Sequence, residues 1–269
     1  MTAGGEDVRV TDAREQSSFG EELVRLASAD NFRDVTGPGY RTADGRPLRA
    51  GVLFRSNELA LTDEDATTIA ELGVTAVYDL RDDHEVAAHP DVPVPGATWT
   101  HVEVKGIPMD SVSTLGTVAE ADEVMHEVYR GFVLHAGGRA SFAALLAHLA
   151  EADAPQLFHC TAGKDRTGWA GALLLHIAGV ADDVILRDYL LTNTVSSGTR
   201  EKYLGMVDEH LGADKVPVYE RVLVADESYL RAAYDAVTAT YESLDGYLAD
   251  GLGLGEAVVG ALRSKLVAD

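Results

Sequence analysis

Phe158-His159-Cys160-Thr161-Ala162-Gly163-Lys164-Asp165-Arg166-Thr167-Gly168 is the stretch around which the chain is organised. It holds the only cysteine of the 269 residues, six positions before an arginine. A short apolar run, Gln156-Leu157-Phe158, precedes it behind Pro155, and Trp169 to Val180 after it is apolar and rich in helix formers. The order is strand, tight loop, helix. A loop that opens onto a helix N-terminus aims unpaired backbone N–H groups and the positive end of the helix dipole at one point, which makes an anion site. Gly163 relieves strain in such a turn, and Gly168 permits close packing beneath it.

Outward from the loop, strands and helices alternate. Val52-Leu53-Phe54-Arg55 reads as a buried strand. Thr62 then caps a helix with an acidic first turn, Asp63-Glu64-Asp65, whose apolar face carries Ile69 and Leu72 and which Gly73 ends. Val74 to Leu80 is the next strand and Thr98 to Val104 a third. This order with short connections argues for a parallel sheet, with ligand-contacting loops where its strands end. One such end is Asp79-Leu80-Arg81-Asp82-Asp83. Lys105 to Thr117 has no period and is expected as a loop near the site. Val118 to Leu134 is predicted helical, and Phe142, Leu145, Leu146 and Leu149 predict a helix over Ser141 to Ala150. Upstream, Ala43-Asp44-Gly45-Arg46 signals a hairpin turn.

Beyond Gly179 the pattern is helical only. It runs through Asp182 to Leu191, Gly198 to Leu211, a segment with Leu230, Ala233, Tyr234, Val237 and Tyr241 on one face, and a last helix carrying Val258, Val259, Leu262 and Leu266. The expected fold is α/β, a central mostly parallel sheet flanked by helices, with a helical C-terminal lobe. Residues 1 to 20 are expected as a flexible leader, followed by a short helix around Glu21 to Ala27. Residues 21 to 269 are expected as one domain, with about 181 to 269 as the helical lobe.

At 46% hydrophobic and 25% charged residues, the composition is that of a soluble globular chain able to bury a full core. Asp plus Glu number 44 against 22 Lys plus Arg, giving a formal charge of -22. Such a surface repels polyanions, so nucleic acid and anionic membrane are poor partners. An anionic substrate must meet a locally positive pocket, and Lys164 and Arg166 stand out for that reason. A single cysteine excludes an internal disulfide and any multi-cysteine metal site. Met1 to Ser18 has neither a basic n-region nor an apolar h-region, and no apolar run is long enough to span a bilayer. A cytoplasmic protein is expected, with secretion by a signal-independent route left open.

Phosphoryl transfer needs a nucleophile in line with the leaving group and donors on the equatorial oxygens. The loop has residues for both. Cys160, at a helix N-terminus beside Lys164 and Arg166, is expected as the reactive thiolate. Arg166 can grip two phosphate oxygens while backbone N–H groups from Thr161 through Ala162, Gly163, Lys164 and Asp165 to Arg166 hold the third. Attack by Cys160 gives a phosphocysteine, which water then hydrolyses. The leaving oxygen needs a proton, for which Asp165 in the loop and Asp82 or Asp83 at the neighbouring strand end are candidates. The Thr167 hydroxyl is placed to hydrogen-bond the departing thiolate. No metal and no cofactor enters this chemistry.

The stretch matches the H-C-x5-R-[ST] signature of cysteine-based protein tyrosine phosphatases, and Cys-Thr-Ala-Gly-Lys-Asp-Arg-Thr-Gly most resembles their atypical bacterial branch, of mycobacterial type. That branch also shows an Asn-Phe-Arg-Asp segment, here Asn31 to Asp34, a Phe-Arg-Ser segment, here Phe54 to Ser56, and an Asp-Leu-Arg strand end, here Asp79 to Arg81. Its helical tail is similar to Tyr229-Leu230, Tyr241 and Tyr247-Leu248, so the resemblance spans about residues 31 to 266. It implies the cysteine-based phosphatase fold, with Cys160 as nucleophile, Arg166 as phosphate clamp and Asp165 as general acid. The loop also resembles that of lipid phosphatases of the tensin-homologue type, which share the lysine at Lys164. The resemblance therefore implies phosphoproteins, with phosphoinositides as an alternative. For the family's lid, Thr192 to Val224, with Gly198, Gly205, Gly212 and Pro217, offers no motif to place it.

Blander roles compete at each position. A lone cysteine before a helix is more often a small buried hydrophobe, but the flanking His, Gly, Lys, Arg and Thr reverse that reading. His159 is expected to support the loop through a hydrogen bond rather than act as a base. Asp82 and Asp83 serve equally well as a helix start. Arg33 and Arg55 are expected to hold the N-terminal segment through carboxylates rather than touch substrate, and the C-terminal tyrosines to pack in the core. The substrate expected first is protein phosphotyrosine and the product inorganic phosphate. The alternative is a small phosphate ester such as a phosphoinositide, sugar phosphate or nucleotide. A phosphate-binding module without turnover, or a sulfurtransferase, fits the Lys164-Asp165-Arg166-Thr167-Gly168 continuation less well.

Overall fold

The computed structural model describes residues 24–108, 111, 112 and 114–268. Its sheet has the order β1-β2-β5-β3-β4, from β1 (Arg33–Asp34), β2 (Leu53–Ser56), β3 (Ala76–Asp79), β4 (Thr98–His101) and β5 (Gln156–His159). Only β1 is antiparallel to its neighbour; β2, β5, β3 and β4 run parallel. The central strand β5 is buried along its whole length, and its end, His159, is level with Ser56 on β2 and Asp79 on β3. Three parallel strands thus finish in register directly beneath the loop that begins at Cys160.

Side chains alternate across these strands as the pleat requires. Phe54, Val77 and Leu157 join a smaller core with Phe32 and Ile69, whereas Leu53, Tyr78 and Phe158 face the main core with Trp169. Each such buried apolar side chain contributes about 1.5–3 kcal/mol. The smaller core is covered by α1 (Asp63–Glu71), which Thr62 caps by accepting from the Asp65 N–H and which ends before Gly73 at φ 80°. The main core is covered by α3 (Val118–Leu134), α4 (Ala136–Glu151) and α5 (Arg166–Ala178), then by the C-terminal helices. Between β3 and β4 lies α2 (Asp83–Ala88), short and without a buried residue.

From residue 180 onward the described chain adds helices and only isolated bridges, Thr42 to Val180 and Leu48 to Val267. The helices are α6 (Asp182–Val195), α7 (Ser197–Leu211), α8 (Val216–Leu223), α9 (Glu227–Tyr241) and α10 (Glu256–Leu266), with a three-residue helical turn at Leu244–Gly246 and a π-helical turn at Tyr247–Gly251 before the last. Most of their buried residues, among them Tyr189, Val222, Tyr229, Tyr247 and Leu262, belong to the same core as Phe158 and Trp169, while Leu191 and Val195 of α6 pair apart from it. The α/β sheet with a helical C-terminal portion is as the sequence pattern predicts. The expected leader lies outside the described residues, as do Glu21 to Leu23 of the expected first helix; residues 24–27 are not helical. The Asp44-Gly45 turn closes with a single bridge, Arg41 to Pro47.

Candidate active site

The loop is held from outside by its carbonyls. Thr161 O accepts from the Glu58 N–H at 3.0 Å, Ala162 O from Asn31 Nδ2 at 2.8 Å, and Gly163 O from an Arg55 Nη at 2.9 Å. Among the described residues, none of the N–H groups of Thr161 to Asp165 has a hydrogen-bond acceptor. Carbonyls turned outward leave the N–H groups facing the concave side, an arrangement whose backbone is able to hold an anion. Gly163 sits at φ 65°, and a Cβ there would come within 2.6 Å of Asn31 Nδ2 and Ser56 O. Only glycine meets both demands.

Cys160 is 2% exposed and lies at the floor of a cleft of about 670 Å³. Ile107, Val112, Val207, Leu211, Tyr219, Val222 and Leu223 supply apolar wall, most of it from α7 and α8. Those two helices fill the 192–224 stretch in which no lid could be placed from motif. Arg166 opens α5 beside the cysteine, its guanidinium buried. It forks onto Glu85, Nη1 to Oε2 at 2.5 Å and Nη2 to Oε1 at 2.7 Å, and the Thr161 hydroxyl donates to the same Oε1 at 2.5 Å. Burial works to raise the Glu85 pKa, but the Arg166 hydrogen bonds and charge outweigh it and hold the carboxyl down at about 2. Burial likewise opposes the Arg166 charge, and the hydrogen bonds and charge of Glu85 secure it, keeping the guanidinium protonated.

Asp165 lines the cleft, and its Oδ1 accepts from the Tyr129 hydroxyl at 2.9 Å and lies 3.0 Å from Lys164 Nζ. Tyr129 in turn meets Tyr189 hydroxyl to hydroxyl at 2.7 Å; burial first, then the Asp165 charge, keeps its phenol far from ionising. The Lys164 ammonium does not line the cleft. It donates to Val224 O at 3.0 Å and sits 5.7 Å over the Tyr229 ring, between the loop and the C-terminal helices. Asp82 does not line it either: its Oδ1 caps α2 by accepting from the N–H groups of His84 and Glu85, while Glu85 returns the bond to the Asp82 N–H. Asp83 is in the first turn of that helix.

His159 is fully buried under the loop, Nδ1 3.4 Å from Cys160 O and Nε2 2.9 Å from Asp91 Oδ2, an ion-pair distance that is not aligned as a hydrogen bond. Asp79, Asp91 and His159 form a compact group with metal-ligand chemistry. Its positive charge is Arg81, which binds both oxygens of Asp79 and Oδ1 of Asp91. Thr167 Oγ1 is buried without a hydrogen-bond partner, so its proton is uncommitted.

Of the acidic residues of this region that were not singled out from sequence, Glu85 and Asp188 bear most directly on the loop and its supports. Glu85 had a signal, since Asp82-x-x-Glu85 after a strand is a capping-box pattern. Asp188 stands in the middle of apolar α6 and pairs with Arg33 at 3.3 Å and Arg55 at 2.8 Å; it is the carboxylate that holds the two N-terminal arginines.

Sequence comparison adds an independent line. The chain matches the tyrosine phosphatase family over residues 24–268. It is 32% identical to the triple specificity protein phosphatase PtpB of Mycobacterium tuberculosis, over 90% of this chain and 98% of that one. A putative tyrosine-protein phosphatase of Cupriavidus necator is 34% identical, over 93% of this chain and 90% of its own, and a tyrosine-protein phosphatase of Nostoc commune 28%, over 91% and 89%. A backbone anion cradle with a cysteine at its floor, a buried arginine at its edge and a family match along the whole described chain lead to one conclusion: the chain belongs to the tyrosine phosphatase family.

Proposed function

We propose that the chain hydrolyses protein phosphotyrosine through a phosphocysteine at Cys160. The phosphate sits in the cradle of N–H groups from Thr161 to Arg166, with the Arg166 guanidinium on its equatorial oxygens. The Cys160 thiolate attacks phosphorus, the S–P bond forms as the P–O ester bond breaks, and Asp165 gives its proton to the leaving oxygen. Water then attacks phosphorus and loses its proton to Asp165, the S–P bond breaks, and the Thr167 hydroxyl receives the departing thiolate. Inorganic phosphate leaves. Asp165 is favoured over Asp82 because it lines the cleft with Cys160, whereas Asp82 is engaged as a helix cap. His159 supports the loop from below, and no step calls for a metal or cofactor.

The observation that carries the substrate class is the cleft lining. Above Cys160 the wall supplied by α7 and α8 is mainly apolar, with His210 in it, while Glu58, His84, Glu85 and His89 line another part; Arg166 is the only lysine or arginine lining the cleft among the described residues. An aromatic ring fits such walls; a polyphosphorylated headgroup needs further cations. The name of the mycobacterial relative, a triple specificity protein phosphatase, favours a second reading in which more than one class of phosphate ester is turned over. The deciding experiment measures turnover of a phosphotyrosine peptide, a phosphoserine peptide, a phosphoinositide and p-nitrophenyl phosphate by wild type and Cys160→Ser. The phosphotyrosine peptide should lead and Cys160→Ser should abolish all four; hydrolysis surviving in that variant rejects the mechanism, and a leading phosphoinositide rejects the substrate. We place the reaction in the cytoplasm, in one phosphatase domain over residues 24–268, without a nucleic-acid partner. The net charge of -22 supports the lack of a nucleic-acid partner; among the described residues no helix is long and apolar enough to cross a membrane.

A further inference from the structure

Beneath the nucleophile loop lies a charge cluster that does not balance. Arg33, Arg55 and Asp188 have side chains 0%, 1% and 3% exposed, and the single carboxylate serves both guanidinium groups, Oδ1 for Arg33 and Oδ2 for Arg55. Tyr40 adds a neutral hydroxyl on Asp188 Oδ1 at 3.3 Å. One positive charge is left over in a place shielded from water, which is costly unless another negative group answers it. Apolar side chains of the same size could fill the space without that cost.

Arg55 connects the cluster to the loop. One Nη holds Asp188 at 2.8 Å, the other donates to Gly163 O at 2.9 Å, and Nε is buried without a hydrogen-bond partner. Arg33 reaches the loop indirectly: it binds Asn31, whose amide donates to Ala162 O at 2.8 Å. Helix α5 makes room for Arg55 with Gly171, where a Cβ would come within 2.8 Å of its Nη1. The guanidinium therefore sits in a fitted space on the convex side of the anion cradle.

We propose that Arg55 is a positioning residue for phosphate capture, fixing the Gly163 carbonyl from below and, with Arg33 sharing its carboxylate, presenting a net buried positive charge behind the cradle. The answering negative charge comes from the other side of the loop, as the Cys160 thiolate or the bound phosphate dianion. Burial and then the like charge of Arg33 draw the Arg55 pKa down to about 10, and Asp188 and Cys160 act in the opposite sense, as this coupling requires. Arg55 touches neither substrate nor the reacting atoms. In a molecule of net charge -22, a cation held under the loop aids anion binding where the surface field opposes it.

The inference rests on Cys160 and Arg166 forming the phosphate loop, and the experiment separates the two. Inhibition of p-nitrophenyl phosphate hydrolysis by inorganic phosphate, and the rate of Cys160 alkylation by iodoacetamide, are measured at one pH for wild type, Arg55→Met, Arg55→Lys and Arg33→Met. Arg55→Met leaves Arg33 paired with Asp188 and should weaken phosphate inhibition and slow alkylation by about ten-fold each, the order expected for losing one buried charge on the far side of the loop. Arg55→Lys restores the charge and should recover most of both; Arg33→Met neutralises the cluster with Arg55 in place and should shift both in the direction of Arg55→Met. A folded Arg55→Met that binds phosphate like wild type, or a lysine variant no better than the methionine one, overturns the proposal. If Arg55→Met does not fold, unchanged phosphate inhibition in Arg33→Met overturns it. Turnover persisting in Cys160→Ser would instead overturn the phosphocysteine reading.

Discussion

Glu85 and Asp165 are the two carboxylates that share the loop, and their partners separate their roles. Glu85 is bound to Arg166 through both oxygens and is kept ionised, so in the proposed mechanism it orients the guanidinium rather than moving a proton. A carboxyl held at about 2 in the fold against 4.5 unfolded stabilises the protein fully above pH 4.5 and loses that contribution as pH falls toward 2. With 27% of the side chain exposed, screening discounts the effect to about 2 kcal/mol. Urea unfolding at stepped pH should therefore show wild type losing more stability than Glu85→Gln between pH 4.5 and 2; parallel profiles would remove Glu85 as a source. For Asp165, replacement by Asn should slow an alkyl phosphate by about a hundred-fold or more and p-nitrophenyl phosphate by much less, because only the poor leaving group needs the proton. Uniform slowing would move the acid role to Asp82. In the present reading Asp82→Ala costs about 1 kcal/mol of stability through the lost cap and leaves kcat as it was, so a fall in kcat without a fall in stability would count for Asp82.

At the scale of elements, the loop between β5 and α5 works because it is pinned on three sides by β2 and its flanks. Gly163 is where the pinning is tightest. Adding a methyl there places Cβ 2.6 Å from Ser56 O at a φ of 65°, and Gly163→Ala should lower stability by about 3 kcal/mol and abolish phosphate binding. A thermal melt and a phosphate titration measure the two losses, and a variant with wild-type values in both would refute this account of the loop. The loop and its strand and helix were legible because the chemistry of an anion site is local in sequence. So was α3, predicted over Val118 to Leu134, the residues it occupies, where the structure adds a capping box from Thr117 to Glu120. Of helix α2 only a possible start at Asp82 or Asp83 was legible, because six residues without a buried face leave no period to read. Helix α8 was missed because Pro217 and the flanking glycines read as punctuation, whereas the proline sits in the first turn, where its missing N–H does no harm. Asp188 lies 155 residues from Arg33 and 133 from Arg55, and a charge on an apolar helix carries no sign of which distant partner it meets.

For the whole molecule, the relation between a local site and a global field governs substrate approach. Negative side chains outnumber positive ones by two to one, and Glu58, Glu85 and Asp165 line the same cleft as Arg166. A phosphate dianion therefore approaches against repulsion at long range and is attracted only within reach of the cradle. Salt screens the long-range part far more than the buried contacts, since the Debye length shrinks from about 30 Å at 0.01 M to about 8 Å at 0.15 M. Raising the ionic strength over that range should increase kcat/KM for an acidic phosphotyrosine peptide several-fold, chiefly through KM, with kcat nearly constant. A peptide with lysines flanking the phosphotyrosine should show the opposite trend, because its attraction to the acidic surface is screened. Measured side by side, the two peptides bracket the effect. If both lost activity equally with salt, the ions would be competing in the cradle itself, and the surface charge would have no part in selecting substrates.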